Sequence, residues 1–121
     1  AKTMRESGVT EALPELLESR VYMGISAGSM VVGKLLPSEL TKVLWPEESF
    51  VGSEEGIGIY DFSILPHLNS EYFAHLRTPL IESMKEQFPR IIYALDDASA
   101  LKIVDDEIDV VSEGEFLKLE K

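Results

Sequence analysis

Val21-Tyr22-Met23-Gly24-Ile25-Ser26-Ala27-Gly28-Ser29 is the stretch on which the reading of this chain turns. Val21-Tyr22-Met23 is an apolar run of strand type, and the pattern predicts a strand over residues 20–25. The run passes through Gly24-Ile25-Ser26-Ala27-Gly28 into a helix expected to begin near Ala27 and to reach about Leu35. Small residues around Ser26 let the backbone turn sharply and hold the hydroxyl out above the strand end. That is the physical content of a G-x-S-x-G elbow. Ala27 and Gly28 fall in the first helical turn, where backbone N–H groups have no intrahelical partner and favour an oxyanion. Small residues at a strand-to-helix junction also serve close packing alone, and the motif by itself does not separate the two readings.

Upstream, residues 1–7 read as the end of a helix stopped by Gly8. Thr10 is placed to cap a short helix over 11–18, with Pro14 in its first turn. The chain therefore opens inside a helix, with neither a methionine nor a leader, and an N-terminally truncated sequence is expected. Downstream, Met30, Val31, Leu35 and Leu36 give the elbow helix an apolar stripe, ended by Pro37-Ser38. Residues 41–56 are the least patterned. Trp45-Pro46 followed by Glu47-Glu48 reads as a surface loop anchored by its Trp, with a lid or contact surface as the alternative.

Residues 62–65 predict a short buried strand that stops at Pro66-His67. A helical turn from Ser70-Glu71 is expected to carry Tyr72, Phe73 and Leu76. Pro79 breaks it and starts a further helix whose Leu80, Ile81, Met84 and Phe88 share one face. Residues 91–95 form a continuous apolar run, the mark of a strand covered on both sides, ending at Asp96-Asp97. From Ala100 the pattern alternates, with turns at Asp105-Asp106 and Glu113-Gly114, which predicts an antiparallel meander. The expectation is one α/β domain over 1–121: a mostly parallel sheet flanked by helices, with a C-terminal antiparallel meander.

At 121 residues the chain can bury a real core, and its net charge of −11 argues against nucleic-acid or anionic-membrane partners. Having no cysteine, it has no disulfide, no thiolate nucleophile and no cysteine-ligated metal, which fits a reducing, cytoplasmic compartment. With two histidines, it also lacks the side chains for a zinc or iron cluster, so no cofactor is expected. No apolar run approaches the length of a membrane-spanning helix.

A serine hydroxyl needs a base, commonly His, itself oriented by a carboxylate. His67 directly follows a strand and lies at the same sheet edge as Ser26 if their strands are parallel; His75 sits in a helical turn and reads as a surface or packing residue. Asp96 and Asp97 end the next apolar strand, and both also read as ordinary turn residues. Asp61 precedes the strand that His67 follows. Four extended residues separate the two, about 13 Å.

Gly24-Ile25-Ser26-Ala27-Gly28-Ser29, Ile64-Leu65-Pro66-His67 with Asn69-Ser70, and Ala94-Leu95-Asp96-Asp97 together resemble the S51 serine peptidases. This is the peptidase E (aspartyl dipeptidase) and cyanophycinase group, with a class I glutamine amidotransferase-like fold. The resemblance implies Ser26 as nucleophile, His67 as base, Asp97 as the third member where the family often has Glu, and the Ala27 N–H as half of the oxyanion hole. The family takes the other half from a glycine-rich turn that this sequence does not contain. Recognition of an acidic P1 side chain would need a cation, for which Arg77 is the nearest candidate in sequence. The partner implied is a small peptide, and a homodimer is a candidate assembly. Two other readings stand beside this one: an α/β-hydrolase esterase, whose triad order is Ser, acid, His, and a non-catalytic amidotransferase-like binding domain.

Overall fold

The computed structural model describes residues 1–47 and 55–121; the rest of the expected surface loop, 48–54, lies outside the described residues. Two short helices open the chain, α1 (Lys2–Glu6) and α2 (Val9–Leu17). Gly8, at φ 78°, makes the turn between them and is the N-cap of α2, the place the sequence suggested for Thr10. The elbow helix α3 covers only Ala27–Met30. It is followed by α4 (Ser38–Leu44) inside the stretch expected to be a loop. Leu40 and Leu44, one turn apart, are buried there together with Trp45.

Strand β1 (Phe62–Leu65) pairs in parallel with β2 (Ile91–Leu95). Between them lie α5 (Thr78–Ser83), with Pro79 in its first turn, and a 3₁₀ turn over Lys85–Gln87. Residues 70–77, expected as a helical turn, form consecutive turns instead. β3 (Ser99–Val104) and β4 (Glu107–Ser112) make a hairpin through Asp105 and Asp106, both at positive φ as a two-residue hairpin loop requires.

Three expectations are corrected. The meander is not continuous: β5 (Phe116–Leu119) leaves the hairpin and pairs antiparallel with β2, so the sheet order is β1-β2-β5 with β3-β4 apart. The physical cause is Asp96, whose carboxylate accepts the Glu115 N–H at 2.6 Å and whose own N–H bonds the Glu115 carbonyl. Gly114 lets the chain pass there, since a Cβ would run into the Asp96 carboxylate. The sheet is consequently only partly parallel. Third, residues 21–25 form no strand. Val21, Met23 and Ile25 are 89, 82 and 78 % exposed, and the segment has no ladder partner among the described residues.

The burial of every residue of β1 and the continuous apolar run of β2 follow from cover on both faces. On one face Leu65, Ile92 and Ala94 pack with Leu68, Leu76, Ile81, Met84 and Phe88. On the other, Phe62, Ile64, Tyr93 and Leu95 pack with Val32, and Tyr22, Leu101, Ile103 and Val110 close over them. The buried Ser63 hydroxyl donates to the Lys34 carbonyl at 2.6 Å, which removes the cost of an unmet polar group. Among the described residues no helix is long and apolar enough to cross a membrane.

Candidate active site

Ser26 stands at φ 52°, ψ −121°, a backbone conformation that costs an L-residue about 1–3 kcal/mol and persists only where neighbours over-determine it. The neighbours are visible. The Ser26 carbonyl accepts the Ser29 hydroxyl at 2.6 Å and the N–H groups of Ser29 and Met30. The Tyr22 hydroxyl donates to the Gly28 carbonyl at 2.7 Å, and the Gly28 N–H bonds the Ile25 carbonyl at 2.9 Å. Gly24 is required by close approach: a Cβ there would meet the Gly28 carbonyl and lie 2.7 Å from the Ser29 nitrogen. The Ala27 N–H has no acceptor among the described residues. It is an open donor on the residue that follows Ser26.

His67 follows β1 by two residues and, at φ 67°, turns back toward Ser26. Its Nε2 lies 2.8 Å from the Ser26 Oγ, and its Nδ1 lies 2.7 Å from the Asp97 Oδ1. A carboxylate accepts, so Nδ1 carries the proton toward Asp97, and the neutral ring then presents Nε2 to the serine hydroxyl as acceptor. The His67 side chain is 23 % exposed and that of Asp97 61 %, so the hydrogen bond joins a sheltered imidazole to a carboxylate largely in water.

The other carboxylates are engaged elsewhere. Asp96 accepts from the Ala98 and Glu115 N–H groups and the Ser99 hydroxyl. Partial desolvation raises its carboxyl, but these hydrogen bonds outweigh it and hold the group below its ordinary value. Asp61 pairs with Lys34 at 2.8 Å and lies 3.8 Å from Arg90. The Lys34 hydrogen bond and charge, aided by Arg90, lower its carboxyl. His75 is exposed. Arg77 donates through Nη1 to the Ser70 carbonyl at 2.8 Å, which ties it to the loop that carries His67.

Two residues near these hydrogen bonds have no role assigned from the sequence, although Asn69 belongs to the quoted motif. The Phe73 ring stacks on the His67 imidazole, centroids 4.6 Å apart and planes 17° from parallel. An aromatic in a polar stretch six residues after His67 is the only signal, and the pattern places it with Tyr72 and Leu76 in an expected helical turn. The Asn69 Nδ2 donates to the Thr78 hydroxyl and, at 2.7 Å, to Glu115 Oε2. An open cleft of about 540 Å³ lies beside this pair, between Asn69, Thr78, Pro79 and residues 114–117. Among the described residues no group of three or more acidic or histidine side chains could hold a metal ion.

No curated protein matches the chain. The family model described as Peptidase family S51 matches residues 1–111, nearly the whole sequence, and the chain therefore belongs to peptidase family S51.

Proposed function

We propose that the protein is a serine peptidase of short peptides that works through Ser26, His67 and Asp97. The observation that carries the reading is the unbroken pair of hydrogen bonds from Ser26 Oγ through both ring nitrogens of His67 to Asp97, at 2.8 and 2.7 Å, with the serine at positive φ. In this reading Nε2 removes the hydroxyl proton as Oγ attacks the scissile carbonyl. The Ala27 N–H donates to the developing oxyanion. The imidazolium, steadied by Asp97, returns its proton to the leaving amine, and the acyl group on Ser26 is released by water through the same base. The reading also places the site on a class I glutamine amidotransferase-like sheet.

For substrates, we extend the proposal to dipeptides with N-terminal Asp. Apart from the bond to Ser70, the Arg77 guanidinium has no partner among the described residues, and its remaining N–H groups suit a carboxylate. Comparing kcat/KM for Asp-Leu, Asn-Leu and Ala-Leu tests this; equal values discard the acidic preference while leaving the peptidase intact.

The central test is a fluorophosphonate, which phosphonylates an activated serine. One adduct per chain by intact mass, absent from Ser26→Ala, is expected. A wild-type protein that takes up no probe would make this a binding domain. An adduct that persists in Ser26→Ala would put the nucleophile elsewhere.

A further inference from the structure

The two hydrogen bonds of the His67 ring leave one motion weakly restrained. Hydrogen bonds to ring nitrogens are directed in the ring plane and bend easily out of it, so they fix where Nδ1 and Nε2 point within that plane but do not stiffly resist a tilt that lifts Nε2 out of it. A tilt carries Nε2 out of line with the Ser26 hydroxyl, and misalignment of this kind is costly in rate. Only something against a face of the ring can stop it.

The geometry points to Phe73 as the positioning residue that does so, an inference that rests on the peptidase reading of this site. Its ring lies nearly parallel to the imidazole at 4.6 Å, and the residue packs against the larger core cluster. The loop between them is built to hold that distance. Its ends are anchored by the buried Leu68 and Leu76, and the Asn69 N–H bonds the Leu76 carbonyl at 2.7 Å to close it. Inside, the Ser70 N–H bonds the His67 carbonyl and the Phe73 N–H bonds the Ser70 carbonyl. Arg77 donates to that same Ser70 carbonyl, so its guanidinium braces the segment that carries Phe73. At the loop exit the Asn69 Oδ1 accepts the Thr78 N–H. His67 and Asn69 both have positive φ, which this set of bonds over-determines. Against such a backing the Phe73 ring cannot retreat, and the imidazole cannot tilt toward it.

The test separates a ring-positioning role from bulk packing. Phe73→Leu keeps an apolar side chain and removes the flat face; Phe73→Tyr keeps the face. With fluorophosphonate as probe, the expected result is a fall of about tenfold in kinact for Phe73→Leu at unchanged KI, with Phe73→Tyr within about twofold of wild type. In the wild-type protein the ring C–H resonances of His67 are expected upfield, under the ring current of Phe73. Rates are taken per titratable Ser26, so a loss of folded protein does not register; should Phe73→Leu not fold, Phe73→Met takes its place. A leucine or methionine variant with wild-type kinact, a loss confined to KI, or His67 resonances without an upfield shift would each overturn the inference. If the wild type takes no label at all, it is the peptidase reading that has failed.

Discussion

Replacing Asp97 by Asn keeps the shape of the side chain and its hydrogen bond to the His67 ring but removes the charge that steadies an imidazolium. The size of the effect follows from where Asp97 sits. Its Oδ1 is 2.7 Å from Nδ1, while its side chain is 61 % exposed. Two unit charges about 4 Å apart attract by ~1 kcal/mol in water and ~4 kcal/mol at the effective dielectric of a protein surface. An acid so exposed lies between these limits. At about 1.4 kcal/mol per tenfold, the expected loss is from ~5-fold to ~10³-fold in the rate of Ser26 phosphonylation. That is less than the ~10⁴-fold seen when the buried acid of a protease triad is neutralised the same way. The assay is the pseudo-first-order labelling rate by intact mass, with Asp61→Asn as its control. Asp61 faces Lys34 and Arg90 rather than His67, so its variant should label within about twofold of wild type. Wild-type labelling by Asp97→Asn would refute the assignment of the acid. A larger loss for Asp61→Asn than for Asp97→Asn would refute the triad order and favour the esterase.

Two other substitutions probe the supports of the site. Gly24→Ala should slow labelling by at least about tenfold and lower stability by ~1–3 kcal/mol, because its methyl would press on the backbone of Gly28 and Ser29; unchanged labelling and an unchanged urea midpoint would count against the tight elbow. Asp96→Asn should leave labelling within about threefold of wild type yet cost ~1–3 kcal/mol at neutral pH, through its bonds to Ala98, Ser99 and Glu115. Because the folded Asp96 carboxyl lies below its unfolded value of 3.8, its stabilisation is present above that pH and is lost as pH falls through the lower folded value. The gap between wild type and variant in urea unfolding should therefore close in acid; a gap that widens there would show the carboxylate is not what holds β5.

What the sequence made legible was where apolar segments end. Ser26, His67 and Asp97 each stand just past such a segment, and for His67 and Asp97 that position is the edge of a buried layer. Pairing itself was not legible. An apolar run reports neither its partner nor whether it is covered, so residues 20–25 and 91–95 look alike although only the second is buried and joins a sheet. The rerouting of β5 depends on one carboxylate, Asp96, reaching a backbone N–H nineteen residues away, which no local pattern encodes. Helix α4 was hidden because Trp45-Pro46 and the following acidic residues signalled a loop while the Leu40–Leu44 pair, one turn apart, was too short a period to notice.

The elbow is consequently held without the strand expected to carry it, and this distributes the bracing of the site unevenly. His67 and Asp97 extend from β1 and β2, which are paired and covered on both faces, and Leu68 is bonded directly to Leu95 at the end of β2. Their separation is set by the core. Ser26 is held by bonds within its own turn, by the Tyr22 hydroxyl, and by the link of the Ile57 N–H to the Val31 carbonyl, which ties the far end of α3 to the chain leading into β1. Exposed Val21, Met23 and Ile25 add little to that hold. The Ser26–His67 contact therefore joins a rigid partner to a less braced one, and its length responds first to changes in the turn. Substitutions at Tyr22, Gly24 or Ser29 should alter reactivity at Ser26 before they alter the His67–Asp97 pair, whereas substitutions in the β1–β2 core should alter stability before reactivity.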